Sequence, residues 1–265
     1  MRHLGNSRAT EPDAASLEGR EPIDLEGDPP ERGGDAIASL RPFGWSMPDP
    51  GVITSVSDES DEGGTELDEV RKLARRGRRL DAIQRLRLVL QSQPAEAEAR
   101  LFLARLLDES DEIDEAIEQL TVVLERSGLR PEVLVLRGAL YARSSRAGEA
   151  ENDFRRAIAQ DPSHYPAYRY LGTILVRRGL VAEGVEVLRE AVSLAPQDPE
   201  ALLQFGEALA AHGRLEDALG ALERASSLAP GDPRSYTVRG RVLDRLRRTE
   251  EALEMYRKAR EVQTA

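Results

Sequence analysis

Residues 199–232 read PEALLQFGEALAAHGRLEDALGALERASSLAPGD. Leu202, Gly206 and Leu209 fall at helical spacing, and Ala218, Leu222 and Ala225 do the same further on. Two apolar stripes of period 3.6 therefore flank Gly213, and Pro230 closes the second. The stretch predicts a pair of amphipathic helices joined by a tight turn.

Working outward, Pro196 and Pro162 precede Pro230 at intervals of 34 residues, and Pro94 stands two intervals before Pro162. The intermediate position is Gly128, which ends a helix equally well. The chain then divides into 63–96, 97–130, 131–164, 165–198, 199–232 and 233–265. Counting places from the first residue of each unit, the twentieth holds Ala82, Ala116, Ala150, Gly184, Ala218 and Ala252. Chance gives six small residues on the order of 10⁻⁴ of the time, so the repeat is real. The eighth place runs Val70, Ala104, Gly138, Gly172, Gly206, Gly240. The eleventh and twenty-fourth are always large, as in Leu175 with Leu188 or Tyr141 with Phe154.

Glycine inside a helix costs ~1 kcal/mol relative to alanine, so its recurrence at the eighth place needs a reason. Close approach of the neighbouring backbone supplies one, with the large residues filling the space around it. Gly77, Gly179 and Gly213, at the fifteenth place, mark the turn between helices. One pair cannot bury both stripes alone, whereas stacked pairs form a continuous core.

With these residues in place the chain resembles the tetratricopeptide repeat family over about 63–265. Unit five matches throughout, on Leu202, Phe205, Gly206, Leu209, Gly213, Ala218, Leu222, Ala225 and Pro230, and unit four nearly as well. The first departs at Glu69, where the family prefers Leu, and at Val89, where it prefers Ala. The second lacks the turn glycine, and the third and sixth carry Arg137 and Arg239 at the usual Leu place. The resemblance implies an all-α, right-handed α-solenoid of about six helix–turn–helix repeats. Its first helices would line a concave groove for a peptide or partner helix.

On that arrangement, places 2, 5, 6, 9, 12 and 13 face the groove. They present Leu101, Phe102 and Arg105, then Val135, Leu136, Ala139 and Ala142. Arg169, Tyr170, Thr173, Val176 and Arg177 follow, then Leu203, Gln204 and Glu207. Apolar groups here suit a docking surface and the arginines suit an acidic rim on the ligand; the alternative is that Leu101 and Val135 pad contacts within the repeat. The carboxylate clamp of some family members is not matched, since its places hold Leu67, Arg71, Phe102, Glu132 and Leu136.

Residues 1–62 differ in kind. They carry five Arg and fourteen acidic residues, a net of −9 out of −11 for the chain. Seven of the 15 prolines lie there, and no periodicity is sustained. Such a composition cannot offset its ordering entropy, so an acidic disordered arm is expected. Within it, FGWSMPDPGV at 43–52 contains the single Trp of the chain. Phe43, Trp45 and Met47 form a linear motif for another protein, dock on the chain's own groove, or are an incidental cluster.

Several chemistries have no support. There is no Cys, and His3, His164 and His212 are scattered, so neither a metal site nor a cofactor is expected. The acidic DESDE at 108–112 lacks the glycine of a calcium loop and reads as a solvated turn. No phosphate loop, nucleophile elbow or acid–base pair points to an enzyme. Arginine runs interleaved with carboxylates, at a pI near 5.0, do not suit nucleic acid. No apolar run approaches a membrane span, and the opening residues lack a secretory h-region, so a cytoplasmic protein is expected. Arginine far outnumbers Lys72 and Lys258, as in a GC-rich bacterial genome. The function expected is a non-catalytic scaffold binding a protein partner, with the arm as a regulatory or second contact. The alternatives are a self-assembling structural protein, associating through the C-terminal repeat, or a cytoplasmic-side subunit of a secretion- or pilus-type machine.

Overall fold

A computed structural model describes residues 66–94 and 96–264. The arm, with Phe43, Trp45 and Met47, lies outside the described residues. The helices are α1 (Glu66–Arg75), α2 (Arg79–Ser92), α3 (Ala97–Glu109), α4 (Ile113–Ser127), α5 (Pro131–Arg143) and α6 (Ala147–Gln160). They continue with α7 (Tyr165–Arg177), α8 (Val181–Leu194), α9 (Pro199–Ala211), α10 (Leu215–Leu228), α11 (Pro233–Arg245) and α12 (Thr249–Thr264). Among the described residues there is no strand, and each helix packs on the next in chain order, giving an α-solenoid.

Local chemistry explains the boundaries. Proline occupies the first turn of α5, α7, α9 and α11, where its missing N–H has no helical partner to lose. Asp198 caps α9 by accepting from the Glu200 and Ala201 amides, and Asp232 caps α11 through Arg234 N. The second helices α2, α4, α6, α8 and α10 begin without side-chain caps. They rely instead on a first-turn acid, which complements the helix dipole. In α2, α6, α10 and α12 the preceding arginine also bonds to that acid, as Arg78 does to Asp81 and Arg214 to Asp217 at 2.7 Å.

All six turns place their fifteenth residue in the left-handed region. Gly77, Gly179 and Gly213 do so readily, but Asp111, Ser145 and Arg247 adopt φ of 63°, 62° and 62°. Tertiary packing thus holds three turns in a conformation their side chains disfavour.

The close approach expected at the eighth place is present, and its chief agent is the large side chain at place twenty-four. A Cβ on Gly138 would sit 2.6 Å from Phe154, and one on Gly206 2.6 Å from Leu222. In the fourth unit the backbones themselves meet. A Cβ on Gly172 would lie 3.0 Å from Gly184 O, and one on Gly184 2.9 Å from Gly172 O. The stripes form one core from Val70 to Leu175, a second from Val185 to Val242 and a small third of Leu243, Ala252 and Met255. Phe154 and Tyr170 stack at 5.5 Å across the third and fourth units.

The arginines at the usual Leu place are answered by facing polar groups, Arg137 within its own repeat and Arg239 from the preceding one. Arg137 makes a two-pronged bond to Asp153, at 2.7 and 2.8 Å, and also reaches Thr121. Burial pulls the guanidinium down, but the Asp153 bonds and charge outweigh it and hold Arg137 above its ordinary value. Glu69 and Arg85, at the same two places of the first unit, form the reverse pair at 3.3 Å. Arg239 finds Ser226 at 3.2 Å and Glu223 at 3.7 Å.

Two measurements check this packing. Gly172→Ala is expected to lower stability by about 1–3 kcal/mol through overpacking, while Gly220→Ala, with open space around it, raises it by up to ~1 kcal/mol. Asp153, whose side chain is 3% exposed, leaves a buried cation when changed to Ala, at a cost of about 3–5 kcal/mol. Arg137→Leu with Asp153→Val, the Leu171–Val187 pair of the fourth unit, recovers most of that loss in urea denaturation.

Candidate functional site: the face of the first helices

The first helices α5, α7, α9 and α11 touch one another as well as their own partners, which the second helices do to no comparable extent. The first helices therefore crowd together on the inner, concave side and the second helices splay outside. Crowding decides what this face exposes. Val135, Leu136, Ala139, Tyr170, Leu203 and Gln204 are buried, because neighbouring first helices close over them. Leu101, Phe102, Arg105, Arg169 and Thr173 are half-buried, and Arg177 is exposed.

The face accordingly has two regions. Over the first two repeats Leu67, Leu101 and Phe102 remain partly open on the edge of the core. Arg71 lies beside them, bonded to Asp68 at 2.8 Å and to Glu98, and Arg105 bonds Glu109 at 3.2 Å. Over the fourth to sixth repeats the surface is polar and bonded to itself. The Thr173 hydroxyl donates to Gln204 Oε1 at 2.8 Å, and Gln204 Nε2 donates to Glu200 at 2.9 Å. Arg234 then joins Glu200 at 2.6 Å to the capping Asp232 at 2.8 Å. Between the two regions Arg169 lies over the Tyr170 ring at 4.3 Å.

Glu207 stands beyond this ladder on α9. Burial, more than any neighbouring charge, pushes its carboxyl up to about 7, with Glu200 adding to the effect while Arg241 and Arg234 oppose it. The signal available in the sequence was the ninth place itself, where Glu207 is followed 34 residues later by Arg241.

The acidic turn at 108–112 is not uniformly solvated. Asp108 is buried and pairs with Arg143 of the following repeat, which also reaches Asp111 at 3.2 Å. The composition of the segment suggests water; its place between two repeats supplies a cation instead. Among the described residues no group of His, Asp and Glu is arranged to hold a metal ion, and no helix is long and apolar enough to cross a membrane.

Family models described as tetratricopeptide repeat match residues 135–199, residues 73–140 and 175–242, and residues 233–263. The chain belongs to the tetratricopeptide repeat family. Among solved structures it is similar to "YrrB: a TPR protein with an unusual peptide-binding site", at 26% identity over 68% of this chain and 92% of that one, with a TM-score of 0.53. MamA 41–end from Desulfovibrio magneticus RS-1 shares 22% identity over 63% and 95%, with a TM-score of 0.57. PilF of Pseudomonas aeruginosa shares 19% over 72% and 86%, with a TM-score of 0.62, and these last two likenesses concern the fold. No curated protein sequence matches significantly.

The raised carboxyl makes stability depend on pH. Folded Glu207 keeps its proton to about 7, whereas the unfolded chain releases it near 4.5. Its stabilising contribution is complete below about 4.5 and is lost as pH rises through about 7. The expected loss is roughly 3 kcal/mol. Glu207→Gln should flatten this part of the pH–stability profile and raise the melting temperature at pH 8.

Proposed function

We infer that this chain is a non-catalytic interaction scaffold whose partner, a peptide or a helix, lies along the face of the first helices. The observation that carries the reading is the open apolar strip of Leu67, Leu101 and Phe102 between Arg71 and Arg105. Interior packing needs apolar side chains, but it leaves these three partly uncovered, within a margin of arginine–carboxylate pairs that a charged flank of the ligand can exchange with. An amphipathic segment fits both features. Similarity to a repeat protein described as having a peptide-binding site supports the reading.

The acidic arm serves as a regulatory or second contact. It brings a net −9 and Trp45 to the same chain as the apolar strip. A different use of the surface is favoured by Leu253 on α12, which is 62% exposed, whereas Ile83, Ile117 and Val185 at the corresponding place are buried. That residue suits association of two copies.

Site-specific photocrosslinking from Phe102, Arg189 and Leu253 in the full chain tests these surfaces together. Adducts to another protein from Phe102, and none from Arg189 on α8, are expected. Equal yields from both positions would sink the groove reading, and chain-to-chain adducts from Leu253 alone would favour self-association. Because Trp45 is the single Trp, a blue shift of its emission on adding the captured partner is expected if the arm is the second contact. An unchanged spectrum removes that role.

A further inference from the structure

Much of the polar surface over the fourth to sixth repeats is satisfied from within. Thr173, Gln204, Glu200, Arg234 and Asp232 form the unbroken run of bonds described above. Glu207 is next on the same helix face, one turn beyond Gln204, and is left out of it. Its side chain is only 22% exposed. Among the described residues its ionic partner is Arg241, at 3.7 Å, too far for a hydrogen bond. The remaining exposure leaves the carboxyl open to solvent, so donors beyond Arg241 come from water or from an incoming ligand.

The surroundings suit an incoming side chain. The residues three and four positions further along α9 are Ala210 and Ala211, which share that helix face and leave little bulk above the carboxyl. On α7 the corresponding place is the short Thr173, and on α11 it is Arg241, 62% exposed and able to swing outward. The charged groups acting on Glu207 are Glu200 on its own helix and Arg234 and Arg241 on α11. Glu200 and Arg234 are already committed to each other.

We propose that Glu207 is the subsite at which the groove receives a basic side chain, Lys or Arg, of the bound partner segment. This rests on the groove reading above and adds to it the chemistry of one position. A guanidinium or ammonium supplies a donor to Glu207 and displaces Arg241 toward solvent. A partner carboxylate at this point would meet Glu207 and Glu200 together and is disfavoured. The apolar end of the groove is the strip of Leu67, Leu101 and Phe102, and the base-binding end is at Glu207.

The geometry has a consequence for pH. A cation binds the ionised carboxyl, so binding expels the proton that the free groove partly retains near pH 7. Affinity for a basic segment is therefore expected to be roughly tenfold tighter at pH 8 than at pH 6. An acidic or neutral segment shows no such rise.

The test uses a display library of random peptides selected on the full chain at pH 8. Enriched peptides are synthesised and titrated by fluorescence anisotropy against the wild type, Glu207→Gln and Arg241→Ala. Enrichment in Lys or Arg is expected, with at least a tenfold loss of affinity and loss of the pH dependence in Glu207→Gln. Arg241→Ala, which removes the competing cation, should bind as well or better. Peptides lacking basic residues, or affinities unchanged in Glu207→Gln, overturn the subsite while leaving the groove in place. If no peptide is enriched, the groove reading falls with it. Glu207→Gln keeps the size and shape of the side chain, and a cooperative melt confirms that a lost affinity is not a lost fold.

Discussion

Everything in this molecule depends on one constraint: a helix pair cannot bury two apolar stripes by itself. Each pair closes one side through the contact of its eighth and twenty-fourth places, where glycine lets Phe154, Leu188, Leu222 or Tyr256 press against the opposite helix. The other side stays open until the next pair covers it. Stability is therefore shared between neighbours rather than owned by any single repeat. The same constraint accounts for the turns. Asp111, Ser145 and Arg247 hold positive φ without glycine because the two helices they join are already fixed by packing.

Polar substitutions within the stack follow the same logic. Arg137 replaces an aliphatic residue and would be a buried unpaired cation, had Asp153 not appeared on the facing helix. Glu69 with Arg85 solves the same contact with the charges exchanged. Between repeats, Arg143 reaches back to Asp108 and Arg178 to Glu151. Such pairs contribute less to stability than an aliphatic contact of equal size, yet breaking one is costly. They fix which residue of one repeat lies beside which residue of the next.

The working surface is what this packing leaves over. Where the first helices crowd, from α5 to α11, most side chains on the inner face are consumed by the stack and the rest bond to one another. Where they crowd less, over α1 and α3, Leu67, Leu101 and Phe102 remain partly open. Glu207 belongs to the crowded region without sharing its bonds. In the proposed groove, selectivity would come from such leftovers, which the stack itself does not use.

Much of the architecture was legible in the sequence alone. The interval of 34, the small residues at places eight and twenty and the large ones at eleven and twenty-four required helix pairs stacked in series, since no other arrangement gives each of those places its use. The tetratricopeptide family followed from the same residues. Place numbers could also list the residues that point inward, but not their exposure. Whether Val135 or Leu101 stays open depends on how near the neighbouring first helix comes, a distance no residue encodes locally. The partner of Arg137, the burial of Asp108 and the isolation of Glu207 are likewise matters of which side chains meet across 16 to 35 residues of chain. Periodicity is a property of the chain and survives without the fold; desolvation and pairing are properties of the assembled stack and exist only within it.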